Sequence, residues 1–518
     1  VLITSRRRFL QGLSLVPLAG CGAAPPDDPP LPPPGGSPFA HGLASGDPRA
    51  RSVTLWTRLS VAPAAPVALS WELADAPDFA ALVARGDVTA LPADDHTVHV
   101  NATGLSPGRT YFYRFRALGH TSPIGRTRTA PEGPTERLRF AVVSCNSKGH
   151  GYWHVFRQLA ARADLDAVIH LGDAIYEYPS GQYGGIRAVD PRGSCVSLAD
   201  YRRRYASYRN DPDLQELLRQ HPLIAVWDDH EFADNAWSSG AGNHTPTAEG
   251  PWTARASAAA QAWREWTPAE PGDRARIWRS FTFGDLVELA MLDTRLLGRA
   301  RQIAISDPMT MDMRRQLLGD DQERWLFERL TRSSARWKLL GQQVMLSPLR
   351  EFRDPDQWDG YPFARQRLLD LLRRMNLRDV AVLTGDRHAS WAMDVPLDPF
   401  DPSAYDPATG RGSLAVEFVT PAVSSPSIYS MPDTLRPTFL QQNPQVRYLD
   451  LVERGYVIVD VTRERLQGAF FHVTGIERPD GGAERLAAVR TTRAGEMHLV
   501  EEATAAEPRG DAPPLAPR

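Results

Sequence analysis

An α/β core domain preceded by a small all-β sandwich of immunoglobulin or fibronectin type is the fold class the sequence predicts. Two patterns predict it. Short alternating strands separated by Pro and Gly turns fill residues 39–130, and apolar, β-branched runs alternate with helical stretches over residues 138–475. A third observation places a site on that core. Three apolar runs end in Leu171-Gly172-Asp173-Ala174-Ile175-Tyr176, Trp227-Asp228-Asp229-His230-Glu231 and Leu383-Thr384-Gly385-Asp386-Arg387-His388, each a turn rich in metal-ligating side chains. With 518 residues, 42% of them hydrophobic, the chain can bury a large core and form two or more domains.

Before the fold, residues 1–21 read as an export signal. Ser5-Arg6-Arg7-Arg8-Phe9-Leu10 and the short apolar stretch after it have the form of a twin-arginine signal, with a plain basic tail as the alternative. Leu18-Ala19-Gly20-Cys21 has the form of a lipobox, which would put a lipid on Cys21; an incidental Cys is the competing reading. Residues 22–38 are Pro- and Gly-rich and form an extended tether. The expectation is a protein exported by the twin-arginine translocation machinery to a periplasmic or other extracytoplasmic location. It would touch a membrane only through a lipid anchor. No apolar run reaches the roughly 18 residues of a spanning helix, and mean hydropathy is −0.36. A formal net charge of −3 gives no basic excess to hold a stable nucleic acid partner.

Within residues 39–130, Ser52-Val53-Thr54-Leu55-Trp56-Thr57-Arg58, the run at 67–72, Thr97-Val98-His99-Val100 and Tyr111-Phe112-Tyr113-Arg114-Phe115-Arg116 alternate as half-buried strands do, and Gly104-Leu105-Ser106-Pro107-Gly108 is a turn. From residue 138 the pattern changes. Strands are predicted at 138–144, 167–171, 223–227, 286–293, 337–344 and 380–384, with helices at 152–162, 198–219, 254–266, 320–331 and 361–375 between them. Two late strands, 455–460 and 466–473, close the sheet. Residues 503–518 repeat the tether's composition and are expected to be disordered.

The chemistry lies where open α/β sheets place their sites, at the carboxyl ends of strands. Asp173 stands where one carboxylate can bridge two metal ions. Tyr176 offers a phenolate, an unusual ligand suited to a hard trivalent ion. Cys145 ends the preceding strand, and a thiolate suits iron or zinc but not calcium. Asp386 and His388, one residue apart, can point into the same crevice, and Asp229 and His230 add a carboxylate and an imidazole. Each alone has a bland reading, as a turn, a helix cap or a small buried Cys. Together, each after a predicted strand, they point to a dinuclear metal site. The chain has 3 Cys; in an oxidising compartment Cys145 and Cys195 could pair, but Cys145 has a use as a ligand.

The set Phe140-Ala141-Val142-Val143-Ser144-Cys145, the segment 170–178, Trp227-Asp228-Asp229-His230-Glu231, Asp293-Thr294-Arg295 and Thr384-Gly385-Asp386-Arg387-His388 resembles the PhoD-like alkaline phosphatase family of the metallophosphoesterase superfamily. So do Leu198-Ala199-Asp200-Tyr201-Arg202 and Trp358-Asp359-Gly360-Tyr361-Pro362. The resemblance implies a metallophosphoesterase-type core and an alkaline phosphatase-like phosphomonoesterase or phosphodiesterase. It implies a ferric ion (Fe3+) on Cys145, Asp173, Tyr176 and His388, with Asp173 bridging to a calcium ion (Ca2+) on Asp229 and Asp386. The oxygen-only donors of the second subsite agree with a hard cation. Asn235 and His244 are candidates for a further ion or for the substrate phosphate. In the mechanism this implies, a metal-bound hydroxide attacks phosphorus in line, with His230 contacting the phosphate or protonating the leaving oxygen. The alternatives are a phospholipase D-like or teichoic-acid phosphodiesterase on the same site and, from another class, a non-catalytic surface lipoprotein.

Overall fold

The computed structural model describes residues 36–61, 65–270, 272, 276–427 and 429–517. The export signal, Cys21 and all but the end of the tether lie outside the described residues. Among the described residues no helix is long and apolar enough to cross a membrane.

Two large sheets form the body. In the first, Arg137–Val143, Ala167–His170 and Pro222–Ala225 run parallel side by side. In the second, Val287–Met291, Trp337–Gln342, Val380–Thr384 and Ser413–Val419 do the same. Strands buried on both faces read as continuous apolar runs, which is why the sequence marks them so clearly. One apolar cluster joins the sheets: Phe140, Ile169 and Ile224 from the first with Leu289, Leu339, Leu383 and Phe418 from the second. Helices cover the outer faces. His154–Ala160, Leu198–Arg209, Pro212–Gln220 and Trp252–Trp266 pack on the first sheet, and Asp320–Arg332 and Pro362–Arg374 on the second.

The single helix expected over 198–219 is two. Ser197 and Asp200 form a capping box at the first, and Asp211 caps the second through the Asp213 and Leu214 amides. Pro212 at its first turn cannot continue the preceding helix, so the chain restarts there. The late strands Arg454–Thr462 and Arg465–Thr474 extend the first sheet antiparallel beside Arg137–Val143.

The N-terminal β region is not a detached unit. Leu43–Gly46 pairs parallel with Pro222–Ala225, and Ser52–Arg58 and Thr97–Thr103 continue the same ten-stranded sheet. A separate five-stranded sheet built on Val67–Ala74, Leu82–Ala90 and Thr110–Ala117 packs against this extension around Leu55, Leu69, Val98 and Tyr113. Trp56 Nε1 donates to Glu265 O at 2.7 Å, tying the β region to a core helix.

The C-terminal tail also departs from expectation. Instead of being disordered, residues 503–517 lie across the molecule because buried polar groups claim their backbone. Arg139 donates to the carbonyl of Glu507 at 2.7 Å, Arg219 to that of Pro517 at 2.9 Å, and the Gln220 amide exchanges two hydrogen bonds with Ala516 at 2.8 and 3.0 Å. Arg509 pairs with Asp166, and Ala516 packs with Phe79 and Phe112. Deleting residues 503–518 removes these contacts, leaving Arg139 with Asp164 and Asp460 and Arg219 with Glu216 and the Ile124 carbonyl, and is expected to cost about 2–5 kcal/mol in all, read as a lowered denaturation midpoint with metal content unchanged. An unchanged midpoint would show that the strap contributes nothing.

Candidate metal centre

The carboxyl ends of the parallel strands of the two sheets meet at one point, and the predicted ligands stand there in unusual backbone. Cys145, Asp173, Asp386 and His388 have φ of 62°, 58°, 57° and 54°, and Asn235 has 52°. Each non-glycine residue in this left-handed region costs about 1–3 kcal/mol, and such strain gathers at functional sites. Gly172, at φ 103°, lets two ligand loops approach: a Cβ there would meet the Asp228 amide nitrogen at 2.5 Å. The buried Glu231 carboxylate then pins the loops together, accepting from the amides of Asp173 at 3.0 Å, Ala174 at 2.7 Å and Asp228 at 2.8 Å.

Three groups of donors result, each with its ligand atoms within 4.8 Å of one another: Cys145, Asp173 and His388; Asp173, Asp229 and His230; and Asp228, Asp229 and Asp386. Asp173 belongs to two of them. Tyr176 joins the first, its hydroxyl 2.8 Å from Asp173 Oδ2 and 3.3 Å from His388 Nε2. His388 Nδ1 lies 2.8 Å from the Pro426 carbonyl, which can only accept, so the proton sits on Nδ1 and Nε2 presents its lone pair to the site. Cys145 and Cys195 are both free thiols, so the pairing considered from sequence does not form.

Without cations this donor set repels itself. Burial and the neighbouring Asp173 charge raise the Cys145 thiol well above its ordinary value, and the same causes raise Tyr176. Burial lifts Asp229 to about 7 despite Arg295, and burial with Asp173 lifts Glu231 to about 8. Burial would raise Asp173 too, but His230 and His388 outweigh it and hold that carboxylate below its usual range. Asp228 Oδ2 and Asp229 Oδ1, both buried, make no hydrogen bond. Buried carboxylate oxygens without a hydrogen bond, in a site that also buries a thiol and a phenol, are what a cation would satisfy. The residues present therefore fit metal binding, with a thiol, a phenol and the His388 imidazole on one side of Asp173, and carboxylates with the His230 imidazole on the other.

His230, a member of the second group, also makes contacts outside it. Its Nδ1 lies 2.8 Å from Glu177 Oε2, and its ring packs on Tyr176 and Tyr178 with centroids 4.4 and 5.3 Å away. Burial opposes charge on His230, but Asp229, Glu177 and Asp173 prevail and lift it well above its usual value. Asn235 reaches the site through its backbone, donating to Asp229 Oδ2 at 2.5 Å. His244 belongs to none of the three groups; its contacts are Glu249, Arg255 and the edge of Trp252. Sequence reasoning missed Asp228 as a donor, Glu231 as the pin, the role of Arg295, and Asp356 altogether. Asp293-Thr294-Arg295 stood out as a motif, but nothing local signals that its guanidinium is buried among four carboxylates.

The profile of the PhoD-like phosphatase family matches residues 140–470, and that of the PhoD-like phosphatase N-terminal domain matches residues 25–131. Alkaline phosphatase D of Bacillus subtilis (strain 168) is 35% identical over 456 residues, which is 82% of this chain and 76% of that protein. A solved structure described as that of PhoD superposes with a TM-score of 0.84 at 31% identity, covering 92% of this chain and 94% of the other.

Proposed function

Because the chain belongs to the PhoD-like phosphatase family, we propose that it is a phosphoester hydrolase whose activity depends on metal ions held at the facing ends of the parallel strands of its two large sheets. One observation carries the reading: Asp173 shares one carboxylate between a Cys145 and His388 group, which the Tyr176 hydroxyl adjoins, and an Asp229 and His230 group, and Asp229 in turn stands with Asp228 and Asp386. Cys145, Asp173, Tyr176 and His388 would hold ferric iron, and Asp229 and Asp386, with Asp173, would hold calcium, as hard and soft donor preferences favour. When bound, the two cations supply Lewis-acid polarisation of the phosphoryl oxygens and a nucleophilic water at neutral pH.

The chain's own groups do the rest. His388 is fixed in one tautomer by the Pro426 carbonyl. The Ser425 hydroxyl bridges the Cys145 carbonyl at 2.9 Å and the Tyr176 hydroxyl at 2.6 Å, which commits it to positioning. Glu177 holds the Nδ1 proton of His230, so Nε2 is the atom left to meet the phosphate or give a proton to the leaving oxygen. Near-complete burial of all these side chains keeps bulk water from competing. The Arg6-Arg7-Arg8 segment supports export by the twin-arginine route, which carries folded proteins and so suits a site assembled beforehand.

A substrate panel tests the reading. A phosphomonoester, a phosphodiester and a phospholipid are offered to the protein before and after dialysis against a chelator. Hydrolysis of at least one ester is expected, to fall by about 10²-fold or more on chelation and to return with added calcium. Hydrolysis that survives removal of all metal would sink the proposal, as would failure to cleave any ester.

A further inference from the structure

Arg295 is fully buried, 0% exposed, and every contact of its guanidinium is to a carboxylate. Nη2 lies 2.9 Å from Asp386 Oδ1 and 3.3 Å from Asp229 Oδ1, Nη1 lies 2.7 Å from Asp356 Oδ2, and Nε pairs with Asp228. We propose that Arg295 is a positioning residue that fixes the Asp229 and Asp386 carboxylates and offsets part of their charge, and so sets the affinity of that subsite for a divalent cation. The inference rests on the reading of the site as a two-cation centre.

Three features distinguish this from an ordinary buried ion pair. First, Arg295 is itself held from behind. Asp356 also accepts from Arg299 Nη2 and Gln302 Nε2, both at 2.7 Å, so the anchor of the guanidinium is rigid. Second, Asp386 is gripped on both oxygens, by Arg295 on Oδ1 and by Gln357 Nε2 on Oδ2 at 2.7 Å, which sets the plane of the carboxylate. Third, the contacts leave Asp228 Oδ2 without a hydrogen bond and hold Asp229 Oδ1 only through the 3.3 Å ion pair with Arg295, so acceptor capacity remains for a cation. Four carboxylates around one pocket would otherwise repel or bind a cation without discrimination, and a fixed internal cation reduces that surplus. The planar fork of Arg is required: a Lys ammonium carries the charge but cannot reach Asp228, Asp356 and Asp386 together. The guanidinium is committed to these four carboxylates, so its influence runs through them.

The test compares full-length wild type, Arg295→Lys and Asp356→Asn. Each is equilibrated with graded calcium, and bound iron and calcium are read by elemental analysis, with thermal denaturation as the folding control. Arg295→Lys is expected to raise the half-saturating calcium concentration by about tenfold to a hundredfold, the scale of lost outer-sphere support, while iron stays at the wild-type level. Asp356→Asn, which touches no proposed ligand, is expected to shift it in the same direction by less. Unchanged calcium binding in both variants overturns the proposal, as does parallel loss of iron and calcium in both. A wild-type chain that takes up no divalent cation overturns the two-cation reading itself, and the proposal with it.

Discussion

Asp173→Asn is expected to lower kcat/KM for any phosphoester substrate by about 10³-fold or more, at least the loss seen when one preorganised charged contact is removed from a transition state. The reason is its double membership. Asp173 stands with Cys145 and His388 in one donor group and with Asp229 and His230 in another, and Tyr176 donates to it at 2.8 Å. An amide in its place keeps the shape and one acceptor oxygen but removes the only carboxylate shared by both clusters. Both ions should therefore be lost or weakened together, whereas Asp229→Asn should weaken only the subsite built on Asp229 and Asp386. Full activity in Asp173→Asn would remove the bridge from the account.

His230→Asn is expected to lower kcat by about 10²–10⁴-fold on an alkyl phosphoester, the range for loss of a general acid, and much less on an aryl ester whose leaving group departs without a proton. The asymmetry is the informative part. His230 Nδ1 lies 2.8 Å from Glu177 Oε2, which fixes the ring and leaves Nε2 as the nitrogen free to give a proton. Glu177→Gln should reproduce part of the defect, since Glu177 fixes which nitrogen faces the site. Equal losses on alkyl and aryl esters would assign His230 to phosphate binding.

The site was more legible in the sequence than the fold around it. Asp173, Asp229, Asp386 and His388 each follow an apolar run too continuous for a half-exposed strand, and burial on both faces plus a polar turn is a local signal. Cys145 and Tyr176 were legible by chemical type. What escaped was long-range. No local pattern says that 287–291 and 337–342 belong to a different sheet from 137–143 and 167–170, or that Leu43–Gly46 slots in beside Pro222–Ala225. The tail was misread for the same reason, since its order comes from Arg139, Arg219 and Gln220, which lie hundreds of residues away. The break at Pro212 was a local signal and was passed over. Arg295 could be read only as part of a motif, because its role depends on Asp228, Asp356 and Asp386 converging from three other segments.

Elemental analysis of the purified full-length protein, wild type beside Asp173→Asn, tests the central claim most directly. The account predicts iron and calcium bound to the wild type in stoichiometric amounts, and both depleted in the variant at unchanged folding. Wild-type protein that hydrolyses phosphoesters while holding neither ion, or a variant that keeps both in full, would contradict it.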